Sequence, residues 1–393
     1  MPVPMQPAWK ERVRRAAPFA VALAWLALGY ANLVRGVAHP GVEYRPWAFR
    51  HHSYTDILAL SGDRYLGGGR PFPYLEDRIE YPVLLGFALY LPSFAPGGQL
   101  GHFTASVLVL GLCLLAAVAV LERLPGASPW WLAGTPALAY YGALNWDLLP
   151  IALLLAAVWQ GERGRAGLSG TLAALGVSAK LWPAAVLPPA IGGLLGEGRW
   201  RAALRWALAF AALTALVNLP FALLAPSNWS HFLLYNARRS AENSVWEISA
   251  LRDPRALNAL GTAFLLLAAI AAAAGAYGAR APSRTRAVRL GTALVLVVWV
   301  ATNKVYSPQY ALYAFAGAAL VSPPAWLFVA LSAIAVVDYH LAFEVRAGRG
   351  YFWFFDRWYL LEEAVRTALY AALAAWLLLE LWRAGRAPRE AGA

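Results

Sequence analysis

Lysine is nearly absent from this sequence. Lys10, Lys180 and Lys304 are the only three, and the other 30 basic residues are arginine. Charge of either sign is scarce, at 14% of residues, where soluble domains carry about a quarter. Cysteine occurs once, as Cys113 in an apolar run, which excludes a disulfide framework and a thiolate metal site. Neither a G-x-x-x-x-G-K-S/T phosphate loop nor a Rossmann fingerprint is present. Nucleotide-driven transport and nucleotide-sugar chemistry in a soluble domain therefore have no support. Internal repeats, heptads and low-complexity tracts are also missing, so the two-halved build of many transporters is not expected.

What is present is apolar. Hydrophobic residues make up 60% of the 393, and the mean hydropathy is +0.51. The expected class is an all-α integral membrane protein forming one polytopic domain over residues 1–393. Apolar segments run approximately over 16–36, 81–96, 99–121, 129–160, 166–196, 201–226, 256–279, 287–321, 324–340 and 360–382. The first follows WKERVRR and reads as a signal anchor rather than a cleaved signal.

Three runs are too long for one span and short for two: 129–160, 166–196 and 287–321. Polar residues break each near its middle: Asn145-Trp-Asp147, Lys180-Leu-Trp-Pro183, and Asn303-Lys304 through Pro308-Gln309. Each reads as a helical hairpin with a sunken polar tip, and Pro183 and Pro308 support the break. The net charge of +12 lies mostly in arginine-rich links at 161–165, 197–205, 280–289 and the tail 383–393. The positive-inside rule makes these cytoplasmic, along with both termini, and turns the three tips outward. Segment 81–96, bracketed by prolines, then reads as re-entrant or interfacial. About 12 spans are expected (range 10–13). The first extracytoplasmic loop, about 37–98, should carry interfacial helices, with 53–66 amphipathic through Ile57, Leu58, Leu60 and Leu66. Nucleic acid is not expected, because topology accounts for the basic charge. Anionic membrane lipids and a phosphate-bearing lipid substrate suit it.

Candidate chemistry sits at polar residues in apolar surroundings. Asp56, on the outer loop, is a candidate general base. Its competing reading is a helix cap, since Ser53-Tyr-Thr-Asp56 fits the S/T-x-x-D/E pattern. Lys180 and Lys304 each stand beside a proline and an aromatic residue. A charge at membrane depth costs roughly 3 kcal/mol and usually marks a partner or a substrate path. The plain alternative is snorkelling, which arginine does equally well. A lysine-specific need points instead to a compact point charge suited to a phosphate. Asn145 and Asp147 read either as turn formers or as substrate contacts. His51, His52, Asp338 and His340 share a face, but no ligand spacing supports a metal. Arg238, Arg239, Arg252 and Arg255 in the loop 227–255 read as phosphate ligands or as a solvated interfacial surface.

Taken in order, Tyr54-Thr-Asp56, Ile79-Glu80-Tyr81-Pro82-Val83, Asn145-Trp-Asp147, Lys180-Leu-Trp-Pro183 and Asn303-Lys304-Val-Tyr306-Ser-Pro308-Gln309-Tyr310 resemble the multi-spanning glycosyltransferases of the GT-C superfamily. The set is most similar to the bacterial polyprenol-phosphate-mannose-dependent mannosyltransferases of the family 87 type. That resemblance implies transfer of a hexose, mannose in the group it is most similar to, from a polyprenyl-phosphate sugar to a lipid or glycan acceptor. It implies an enzyme of the bacterial plasma membrane, with Asp56 as base and Asp63 or the Glu76-Asp77-Glu80 cluster as fallbacks. Lys180 and Lys304 would hold the donor phosphate, with Tyr306, Gln309, Asn145, Asp147, Glu80, Tyr81 and His340 lining the substrate site. No cofactor is expected; a divalent metal lacks support because no D-x-D or E-D pair stands at Asp56. A transporter or lipid flippase without covalent chemistry is the alternative, and a structural role the third.

Overall fold

The computed structural model describes residues 8–65, 69–281, 283–348 and 353–386. Helix accounts for 78% of it and no strand forms among the described residues. In chain order the helices are α1 Ala8–Leu33, α2 Tyr44–Arg50, α3 Asp56–Tyr65, α4 Val83–Tyr90, α5 Gly98–Leu121, α6 Trp130–Ala133, α7 Ala137–Tyr141, α8 Leu148–Glu162, α9 Ala166–Ala179, α10 Leu187–Gly196, α11 Trp200–Leu224, α12 Pro226–Arg238, α13 Pro254–Gly278, α14 Arg284–Thr302, α15 Ala311–Ala319, α16 Ala325–Arg346 and α17 Trp353–Arg386. Among the described residues, seven helices are long and apolar enough to cross a membrane unaided. Four shorter apolar stretches, Val83–Phe94, Leu148–Glu162, Ala166–Ala179 and Trp182–Gly196, fill segment 81–96 and most of the first two hairpins. Set beside about 12 expected spans, the hairpin arms are short: α8 has 15 residues and rises only about 22 Å.

Burial follows the apolar pattern. Every residue of α15 is buried, as suits a helix that is apolar all round. By contrast, α11 turns Leu208, Leu216, Leu219 and Leu223 outward, the mark of a lipid-facing helix in a membrane protein. Small residues let α10 and α13 meet at backbone distance. A Cβ on Gly192 would fall 2.3 Å from the Ala273 carbonyl oxygen, and one on Gly196 would fall 2.3 Å from that of Tyr277. This is close helix approach through glycines one turn apart. Gly192→Val is therefore expected to lower stability by about 1–3 kcal/mol, read as the unfolding midpoint in detergent. Gly167→Ala, which meets nothing within 4 Å, is the control and should not lower it.

The hairpin tips gather at one end of the bundle and the arginine-rich links at the other. Helix α8 runs from Asp147 at its tip to Glu162, where Glu162 pairs with Arg289 near the start of α14. Nearby, Arg286 pairs with Glu380 toward the end of α17. Helix α14 then returns to the tip at Asn303-Lys304.

The first loop is braced against the tips. Tyr74 is buried, and its hydroxyl reaches the carbonyls of Tyr81 and Pro82 at 2.9 and 2.7 Å. Arg64 pairs with Asp77 and Glu80, both at 2.8 Å. These contacts hold Glu80 and Tyr81 at the tip end. The expected amphipathic helix is α3, with Ile57 and Leu58 buried; Leu66 lies outside the described residues.

Candidate functional site

Asp56 opens α3, but it is not the cap. Thr55 is: its Oγ1 accepts from the Ile57 N–H at 3.2 Å, the usual work of an N-cap side chain. The Ser53 hydroxyl is turned away, donating to the Asn32 carbonyl at 2.6 Å. The capping reading of Asp56 is thereby corrected. Its carboxylate instead accepts from the Tyr54 hydroxyl at 2.8 Å and from Asn145 Nδ2 at 2.6 Å. Its own N–H donates to the Leu144 carbonyl at 2.8 Å, and the Thr55 hydroxyl donates to Ala143 O at 2.7 Å. The first loop is thus clasped to the tip of the first hairpin.

Behind this clasp lies a buried chain of polar contacts. Asn145 Oδ1 accepts from Lys180 Nζ at 3.1 Å. Lys180 Nζ also bonds Asp147 at 2.7 Å, and the Tyr313 hydroxyl donates to the same Asp147 oxygen at 2.8 Å. Asp147 is fully buried and Lys180 is 6% exposed. Asp147 stands in the turn that leads into α8, but its side chain is spent on Lys180 and Tyr313, and Lys180 does not snorkel, since its partners lie inside the protein.

Lys304 is placed differently. Its Nζ donates to the Ala237 carbonyl at 2.8 Å, and among the described residues no carboxylate pairs with it. The backbone around it is fixed by a short parallel bridge, Glu242 N to Lys304 O at 3.0 Å and Tyr306 N to Glu242 O at 2.9 Å. Glu242 pairs with Arg239 and, at 3.0 Å, with Arg346. Burial would raise the Glu242 carboxyl, but Arg239 and Arg346 beside it bring it below its ordinary value. Lys304 sits below the ordinary lysine value, first through burial and then through repulsion by Arg239.

One cavity of about 670 Å³ joins these groups. Asp56, Glu80, Tyr81, Asn145, Lys180, Lys304 and Gln309 all line it. Arg45, Arg239, Glu242 and Arg346 line it too, as do the apolar Phe232, Leu233, Trp182 and Trp299. Asp147 stands behind the wall, under Lys180. Tyr306 and His340 stand away from it. At Tyr306 the chain turns into the bundle; its hydroxyl pairs with that of Tyr370 at 2.9 Å, and Arg366 stacks on its ring at 3.7 Å. His340 bonds His52 at 2.8 Å, and His52 in turn bonds Glu344 at 2.9 Å. Asp338 points inward to Arg366 at 2.5 Å, so the histidines and Asp338 do not converge. Of the fallback acids, Glu80 is held by Arg64, Asp77 likewise, and Glu76 Oε2 accepts from the Phe72 N–H at 2.6 Å. The Asp63 side chain lies outside the described residues.

Burial lifts the Asp56 carboxyl above its ordinary value, against the lowering effect of the Tyr54 and Asn145 hydrogen bonds and of Lys180. Such a carboxylate is a better proton acceptor than a free aspartate.

A helical bundle with a carboxylate, surplus cations and apolar walls in one cavity defines a polytopic membrane protein equipped to handle an anionic, partly apolar substrate. Residues 81–308, more than half the chain, match the sequence profile of glycosyltransferase family 87. The chain belongs to that family and is a multi-pass membrane glycosyltransferase. No curated protein sequence matches it. The matched region takes in Lys180 and Lys304 and begins at Tyr81; Asp56 lies outside it and joins the cavity through the fold.

Sequence reading missed Arg45, Glu242 and Arg346 as cavity residues. Arg346 closes the last turn of α16 beyond the expected span, and its partner Glu242 lies 104 residues away. Nothing in the local pattern marks either.

Proposed function

We propose that the protein transfers a hexose, mannose by the resemblance, from a polyprenyl-phosphate donor to a hydroxyl of a lipid or glycan acceptor on the extracytoplasmic face. The observation that carries this reading is the meeting of Asp56 and Lys304 in one cavity. A basic carboxylate and a cation held only by a neutral carbonyl among the described residues are the two charges the reaction needs. Asp56 takes the proton of the acceptor hydroxyl as its oxygen attacks the anomeric carbon. The bond from that carbon to the donor phosphate oxygen breaks, and polyprenyl phosphate leaves with the electron pair. Attack opposite the leaving group inverts the anomeric centre.

Lys304, with Arg239 and Arg346, offers three positive charges against the single Glu242. An arriving phosphate supplies the missing negative charge, and a preformed cationic cradle stabilises the leaving group without reorganisation. Phe232, Leu233, Trp182 and Trp299 give the prenyl chain an apolar wall. Lys180 is committed to Asp147 and is left out of the phosphate cradle. The arginine-rich links gathered at the far end support, by the positive-inside rule, a cytoplasmic setting for that end and for both termini in a bacterial plasma membrane.

The test uses purified protein in proteoliposomes with labelled polyprenyl-phosphate mannose and a lipid acceptor fraction. Covalent labelled glycolipid is expected. Translocation of the donor without covalent product would replace this reading with a flippase. Lys304→Met is expected to raise donor KM at least about tenfold, by loss of a charge-assisted phosphate contact, with the unfolding midpoint retained. An unchanged donor KM would remove Lys304 from the phosphate site.

A further inference from the structure

The two cavity lysines have different surroundings, and the difference assigns them different work. Lys304 is bonded to a neutral carbonyl. Lys180 is bonded to a buried aspartate and to the oxygen of a side-chain amide. That amide belongs to Asn145, whose two ends are fully used. Its oxygen accepts from Lys180 Nζ and from the Trp146 N–H at 2.6 Å; its nitrogen donates to Asp56 at 2.6 Å and to the Tyr81 hydroxyl at 3.0 Å.

The partners fix which way the amide points. Lysine and a backbone N–H can only donate, and an ionised carboxylate can only accept. Turning the Asn145 amide over would set its NH₂ against two donors and its oxygen against a carboxylate. Asp147 holds Lys180 under the amide oxygen, and Tyr313 holds Asp147. Tyr81 and Tyr310 present their rings to the ammonium at 5.6 and 5.8 Å, so its remaining surroundings favour a cation as well.

We infer that Lys180, locked by Asp147, is a positioning residue: it orients the Asn145 amide so that Asn145 holds the Asp56 carboxylate in place for proton abstraction. This rests on Asp56 being the base. It removes Lys180 from direct contact with the donor phosphate and makes the Asn-Trp-Asp tip and the Lys-Leu-Trp-Pro tip one device.

The groups that face Asp56 are known from each element around it. Tyr54 adjoins it in the loop, Tyr44 and Arg45 come from α2, and Glu80 and Tyr81 precede α4. Asn145 and Asp147 come from the first tip, Lys180 from the second and Tyr310 from the third. Arg346 and Lys304 line the same cavity. Of the charged groups acting on Asp56, Lys180 outweighs Asp147, so removing both leaves its carboxyl higher.

Lys180→Met alone would strand Asp147 and risk misfolding, so the informative variant is Lys180→Met with Asp147→Asn. In the transfer assay, kcat is expected to fall about 10- to 100-fold, with donor KM within about twofold of the parent. The acidic limb of the kcat profile should move to higher pH. Lys304→Met should do the reverse, raising donor KM and leaving the limb where it was. A double variant with raised donor KM and an unmoved limb overturns the positioning role while Asp56 stands as base. Retained activity in Asp56→Asn overturns both, and it is scored separately on that variant. A double variant matching the parent in all three quantities overturns the positioning role alone.

Discussion

Asp56→Asn is expected to abolish transfer while leaving the protein folded. A positioned general base contributes about 100- to 10,000-fold, so kcat should fall by that order. The substitution is nearly isosteric, and the contacts that seat α3 do not depend on the carboxylate. The residue 56 N–H still reaches Leu144 O, and the Thr55 cap and its bond to Ala143 remain. The Tyr54 hydroxyl can donate to an amide oxygen or rotate to accept from an amide nitrogen. The measurements are labelled glycolipid formed and the unfolding midpoint in detergent. Full activity in a folded variant would sink Asp56 as base. In the parent, activity should rise with pH along a limb set by Asp56. Because burial raises that carboxyl, the limb stands above the ordinary aspartate value near 3.9. Below it the base is protonated and transfer stops.

The largest stability effect is expected at Arg366. This guanidinium is buried in α17 and faces Asp338 at 2.5 Å and Glu362 at 3.1 Å, both of them buried. It also donates to the Asn243 carbonyl at 2.8 Å and to the Asn243 side-chain oxygen at 3.2 Å. Arg366→Met would leave two buried carboxyls without this cation, and stranding a buried charge costs about 3–5 kcal/mol. The cost extends to the cavity. Asn243 follows Glu242, which bridges to the Lys304 backbone and pairs with Arg239 and Arg346. Arg366→Met should therefore lower the unfolding midpoint and, in the folded fraction, raise donor KM. A midpoint within about 0.5 kcal/mol of the parent would show that Arg366 is not the staple of this region.

The sequence pattern reveals part of this and hides the rest for physical reasons. The all-α membrane class and the three broken hairpins follow from apolar runs interrupted by Asn145-Trp-Asp147, Lys180 and Lys304, because polar residues in such runs need an internal partner. That the tips lie at one end follows once charge puts the links at the other; that they share a cavity is given by the fold. Which partner each lysine takes does not follow. Lys180 and Lys304 have much the same local setting, an aromatic two residues on and a proline three or four residues on, and only the fold gives one an aspartate and the other a carbonyl. Tyr306 shows the limit of adjacency: two residues beyond Lys304, it faces Tyr370 instead of the cavity. Arg366 and Glu362 carry the same signal that singled out the lysines, charge inside an apolar run, yet they fall in a segment read only as a span.

The clasps around the cavity close in chain order. Thr55 meets Ala143 across 88 residues, Asn145 meets Lys180 across 35, Ser244 meets Lys304 across 60, and Asp338 meets Arg366 across 28. A chain delivered to the membrane from its N-terminus can therefore complete the acid-bearing wall by the time the second hairpin has inserted. The wall that carries Lys304 and Arg346 waits for α14 and α16. Tyr313, which reaches back 166 residues to Asp147, ties the late wall to the early one.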